Sequence, residues 1–194
     1  MNLIGNSCIA SYITRDCLKQ PFSNPFTWCI MNFESCFNLV KYYDSINFTH
    51  FKLQHDSKWN FSIIIDDLIE VQYVHYHFEP NSDKVTIKNN DVFYNKIWIY
   101  ITNKYISRTK RMLELNEPPT FIFATANYGL SRHTPFTVEQ QKQLLSLNSP
   151  YKIVLSFKEN IKSANNLIID QHGQFFDNGP CLSNYIFKQC GFLH

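Results

Sequence analysis

The chain has 194 residues, 44% of them hydrophobic and 18% charged, with a formal net charge of +2 at pH 7. That balance excludes a disordered chain and leaves no electrostatic argument for a nucleic-acid partner. No apolar run reaches the ~18 residues of a membrane-spanning helix, and the sequence does not open with the basic and apolar stretches of a secretory leader.

In chain order, residues 2–7 read as a strand and 9–18 as a helix. KQPFSNPF is a loop, because Pro21 and Pro25 each remove a donor and restrict the residue before them. Apolar residues at 33, 36, 37, 39, 40 and 43 recur with helical spacing behind Asn32, a suitable N-cap. FSIIIDDLIEVQYVHYHF predicts two strands around a turn at Asp66 and Asp67. A helical pattern over 91–115 ends at Pro118 and Pro119. TFIFATA is a buried strand, and 137–147 a helix with Thr137 at the N-cap and Gln140 three residues on. YKIVLSF is a further strand, NLIIDQHGQFF a hairpin turning at His172 and Gly173, and CLSNYIFKQC a short closing helix. With no repeat or linker, this order predicts one α/β domain over 1–194: a layered fold with a mixed, mostly parallel sheet flanked by helices. Cys8 falls at the first strand–helix turn.

The six cysteines, Cys8, Cys17, Cys29, Cys36, Cys181 and Cys190, make no CxxC pair and no dense scaffold, which favours free thiols in a reducing cytoplasm. The 16% aromatic content would suit a carbohydrate-facing surface, but together with abundant Asn, Ile and Lys it also matches an AT-rich genome. Cys8 stands out by position. A helix N-terminus stabilises a thiolate, and ligands of open α/β sheets gather at the carboxyl ends of strands. Packing of a buried thiol is the alternative. A nucleophilic cysteine also needs a base, and His75 and His77 in VQYVHYHFEP share one strand face. The same pair could hold zinc with Cys8, His133 or Asp66 as third ligand, although no HExxH or CxxC accompanies it. Ser7 loosely imitates the serine block of the SGNH hydrolases, but the D-x-x-H block is one residue short at Asp170–His172. Finally, Lys104, Arg108 and Arg111 form one stripe on a helix, either a solvated face or a site for an anionic group.

Several stretches then occur in a shared order: NLIGNSCIASYI, SNPFTWCIMNFESCFNLV, VQYVHYHF, the Trp98–SRTKRM helix, FIFATANYG and YKIVLSF. Over residues 2–160 this order resembles a bacterial exopolysaccharide-biosynthesis family that carries a domain of unknown function. It is also similar to a related group classed as papain-like cysteine peptidases. The resemblance puts the family's cysteine on Cys8, its Asn-Pro-Phe on Asn24, Pro25 and Phe26, its His-Tyr on His75 and Tyr76, and its Trp and arginines on Trp98, Arg108 and Arg111. The chain departs in reading IGNSC for SNNC or GSNC, and FTW for FDW, and its last 35 residues have no counterpart.

What the resemblance implies is work on bacterial capsule or exopolysaccharide. The expected activity is an O-acyltransferase, most simply an O-acetyltransferase with acetyl-CoA as acyl donor and a glycan hydroxyl as acceptor. Cys8 is the expected nucleophile and His75 or His77 the base; Lys104, Arg108 and Arg111 would hold the donor. Asn6, Ser7, Asn24, Trp28 and Asn127 would line the acceptor site, and Asn127, Asp66 or Asn24 would orient the histidine. Expected partners are the glycan acceptor and other capsule-biosynthesis enzymes, with a cytoplasmic location beside that machinery at the inner membrane face. Two alternatives stand beside this: a non-catalytic or glycosyl-modifying assembly protein that binds an anionic glycan, and a papain-like hydrolase that needs no acyl donor.

Overall fold

The computed structural model describes residues 2–6, 11, 23–56, 60–73, 91–124, 135–157 and 166–170. Among these the elements are β1 (Asn2–Gly5), β2 (Cys29–Ile30), α1 (Phe33–Tyr42), β3 (Phe51–Asp56), β4 (Asn60–Ile65), β5 (Ile69–Tyr73), α2 (Asp91–Leu115), β6 (Pro119–Ala124), α3 (Val138–Ser146), β7 (Lys152–Phe157) and β8 (Asn166–Asp170), with a 3-10 turn at Tyr43–Ser45. The expected helices over 9–18 and 181–190, and the strand–helix turn at Cys8, lie outside the described residues, apart from helical Ser11.

Local chemistry explains where these elements start and stop. Asn32 caps α1 by accepting from the Ser35 N–H at 2.8 Å. Thr137 and Gln140 close a reciprocal capping box on α3, which satisfies two of the N–H groups a helix start leaves unpaired. Asn116 takes a positive φ of 48° behind α2 and donates to the Leu113 carbonyl at 3.3 Å. Asn tolerates that left-handed conformation, and the prolines beyond cannot extend the helix. Asp66 and Asp67, at φ 50° and 55°, turn the chain between β4 and β5, as a tight hairpin requires.

Among the described residues the strands divide into two four-stranded sheets, where a mixed sheet was expected. One is wholly parallel in the order β1-β6-β7-β8; the other is antiparallel in the order β2-β5-β4-β3. The reason lies at β2, which spans two residues and passes the end of β1: Met31 N–H donates to the Asn6 carbonyl at 3.2 Å, beyond the ladder of β1. Asn166–Asp170, the first arm of the expected hairpin at 166–176, pairs parallel with β7; residues 171–176 lie outside the described residues.

Burial follows this division. In the parallel sheet Leu3, Ile4, Phe121, Ile122, Phe123, Ile153, Val154 and Leu155 are all buried, as strands covered on both faces must be. In β5 burial alternates, with Ile69, Val71 and Tyr73 inward and Glu70 and Gln72 half-buried. One apolar cluster runs through both sheets, from Ile4, Phe121 and Leu155 to Ile63, Val71 and Tyr105. α2 contributes Ile101, Tyr105, Arg108, Thr109 and Met112 to the interior.

Candidate functional site

The carboxyl end of β1 is where the expected chemistry begins, and segment 23–29 runs alongside the strand, from Asn2 and Leu3 at its start to Gly5 at its end. Asn24 is the pivot, 3% exposed. Its amide nitrogen donates to the Leu3 carbonyl in β1 and to Asn2 Oδ1, while its Oδ1 accepts from Phe26 N–H at 3.0 Å and from the Thr27 hydroxyl at 3.2 Å. The sequence folds this way because an Asn side chain readily bonds the backbone two residues on, and Pro25 fixes the intervening φ.

Four further side chains fasten the segment. Tyr73, the last described residue of β5, donates its phenol to the Pro25 carbonyl. The Cys29 thiol donates to the Phe26 carbonyl at 3.0 Å and faces the Gly5 carbonyl at 3.7 Å. From α2, Arg108 Nη1 donates to the Thr27 carbonyl at 3.0 Å, and Arg111 Nη2 to Ser23 Oγ at 3.3 Å. These contacts surround Trp28, whose φ is +60° and whose N–H donates to Ser11 Oγ at 2.8 Å.

Of the expected site residues, Asn6 and Trp28 lie toward the carboxyl end of β1, next to Met31 and Cys29. Asn24 is instead tied to the strand's first residues, and Arg108 and Arg111 hold Thr27 and Ser23 of the same segment. Asn6 is fully buried, its carbonyl bonded to Met31. Arg108 is 5% exposed, so its guanidinium offers little surface to a coenzyme phosphate; it braces a loop. Arg111 is exposed and Lys104 half-buried, with the Lys104 ammonium 5.2 Å over the Tyr100 ring. Asp66 stands at the other end of β5 from Tyr73, accepting from Asn47 N–H and pairing with His50 at 3.2 Å. Ser7, Cys8, His75, His77, Asn127 and His133 lie outside the described residues.

Cys29 and Cys36 are both buried. Burial first, and the neighbouring Cys29 second, push the Cys36 thiol well above its ordinary range, which makes it a packing group rather than a nucleophile. Among the described residues no group of three His, Cys, Asp or Glu is arranged to hold a metal. Sequence reasoning missed the brace by Arg108 and the conformation of Trp28. The Asn-Pro dipeptide was a legible signal for the turn, but nothing in the sequence marks the residue three positions later as left-handed. No protein-family model matches the chain, and no curated protein matches it.

Proposed function

We propose that the protein is an O-acyltransferase acting on a bacterial capsular or exopolysaccharide, with Cys8 as nucleophile and His75 or His77 as base. One observation carries the reading: the strands that lead to these residues meet at the same residue, Cys29. β1 ends at Gly5, whose carbonyl faces Cys29 Sγ, and β5 runs through Tyr73, which is the register partner of Cys29. Cys8 is three residues beyond Gly5 and His75 two beyond Tyr73, so chain length limits their Cα atoms to about 11 Å and about 8 Å from those residues.

In this reading the histidine takes the Cys8 proton and the thiolate attacks the acyl carbonyl of acetyl-CoA. The coenzyme thiol leaves with that proton, and a thioester remains on Cys8. A sugar hydroxyl then attacks the thioester as the same histidine accepts its proton, and the Cys8 thiolate departs and is reprotonated. Lys104 and Arg111 are the cations with surface to offer the donor's phosphates, while Asn24 and Arg108 hold the loop beside the site.

The test is transfer of an acetyl group from acetyl-CoA to capsule oligosaccharide, followed by mass spectrometry for wild type, Cys8→Ala and His75→Ala or His77→Ala. Loss of transfer by a Cys8→Ala protein with native circular dichroism is expected. Transfer at the wild-type rate by that variant would end the covalent mechanism.

A further inference from the structure

Four non-glycine residues among those described have positive φ: Trp28, Asp66, Asp67 and Asn116. Three of them are Asp or Asn, whose short polar side chains tolerate the left-handed region. Trp28 is the exception, because a bulky side chain at φ 60° crowds its own carbonyl. Such a conformation persists only where the surroundings over-determine it, and it concentrates at functional sites.

The surroundings here do over-determine it. Before Trp28, Asn24 ties Phe26 and Thr27 to β1, and Arg108 holds the Thr27 carbonyl. At Trp28 itself the N–H is held by Ser11. After it, Cys29 is fixed by its thiol contacts and by pairing with Tyr73. A buried arginine and a buried asparagine are thus spent on the backbone around one aromatic residue. Packing alone does not account for this, since Trp28 is only half-buried while its neighbours Phe26 and Cys29 are fully buried.

From this geometry we infer that Trp28 is the acceptor-recognition residue of the site, and that its ring takes the apolar C–H face of a pyranose unit. Arg108 is its positioning residue. An indole offers a large, rigid, flat surface at low entropic cost. A pyranose presents such a face beside its hydroxyls, and the segment runs alongside the strand that leads to Cys8. The inference rests on the proposed glycan acceptor but not on the covalent step.

The experiment uses the full chain carrying Cys8→Ala, which separates binding from transfer. Intrinsic tryptophan fluorescence is titrated with glucose, N-acetylglucosamine and mannose hexasaccharides, with Trp59→Phe and Trp98→Phe removing the other two indoles of the sequence. At least one hexasaccharide is expected to bind. Read by calorimetry, Trp28→Gly should weaken that binding about tenfold or more, the loss typical of an aromatic anchor. Trp28→Phe should weaken it less. Glycine carries no Cβ to strain, so the melting temperature of Trp28→Gly should not fall below that of Trp28→Phe. Arg108→Lys should reduce affinity while leaving the far-ultraviolet spectrum native. Binding of Trp28→Gly at wild-type affinity, or no binding of any hexasaccharide by the starting protein, overturns the inference. If the sugar binds through Trp28 yet the chain with Cys8 intact transfers no acyl group, the acyltransferase reading fails and this one stands. If Cys8 supports transfer and Trp28→Gly leaves the acceptor KM unchanged, the reverse holds.

Discussion

On one side of α2, Arg108 is 5% exposed and donates to a backbone carbonyl in the loop beneath it. On the other side, Ile99, Ile106 and Leu113 repeat every seven residues at 61%, 49% and 51% exposure. The last two border an open apolar cleft of about 560 Å³ formed with Phe48 and Phe51. Residue polarity alone would assign these faces the other way round. The difference teaches that a helix face is chosen by what it must satisfy. The Thr27 carbonyl sits where water is scarce, and a long side chain with a planar donor group can reach it while its stem packs against the core.

The contrast is broken most directly at Arg108. Truncation leaves the Thr27 carbonyl without its donor, so Arg108→Ala should cost about 3 kcal/mol. That lowers the melting temperature by about 6–12 °C for a chain of this size. Thermal unfolding followed by circular dichroism checks it, and a melting point within 2 °C of wild type would show that the brace does not hold the loop.

Tyr105 tests the seam between the two faces. It is 1% exposed and its hydroxyl donates to the Phe48 carbonyl at 2.7 Å. Tyr105→Phe keeps the ring against Phe51 and orphans that carbonyl, at an expected cost of about 1–2 kcal/mol in urea unfolding. No measurable change would mean that water replaces the phenol.

Alkaline titration probes the same interior without substitution. Burial holds the Tyr105 phenol above its ordinary range, and Tyr43 is raised for the same leading reason. Tyr151 is pushed up to about 12 by burial and then by its hydrogen bond to Asp44. Between the ordinary phenol value near 10 and these raised values the unfolded chain binds fewer protons than the folded one. Stability is therefore fully present below about pH 10 and falls as pH rises above it. Phenolate absorbance should show these three ionising above the ordinary phenol range, in step with unfolding. Ionisation of Tyr43, Tyr105 and Tyr151 near pH 10 in the folded protein would remove this assignment.

The smallest effects sharpen the comparison from the outer side. Arg111→Ala removes an exposed contact to Ser23, and Ile106→Lys replaces an exposed apolar group. Each should shift stability by no more than about 0.5 kcal/mol. A cost for Ile106→Lys as large as for Arg108→Ala would mean that the outer face is packed in solution.

Much of the fold was legible residue by residue. Asn32, Thr137 with Gln140, the Asp66–Asp67 turn and the Pro118–Pro119 stop encode their structures within four residues. Their hydrogen bonds close locally, and the sequence alone could assign them. β3 was not legible, because Phe51 and Leu53 are the only apolar residues of FKLQHD and its ladder to β4 supplies the rest. The separation into two sheets was also hidden, since the partners of β2 lie 42 and 44 positions along the chain. The site divides in the same way. Asn24 before Pro25 announced a turn, whereas the left-handed Trp28 and the burial of Arg108 arise from contacts spanning 17 and 81 positions. Sequence determines what neighbours can do for each other. Only the tertiary structure decides which distant carbonyl a cation must satisfy, because that demand exists only once folding has removed the water.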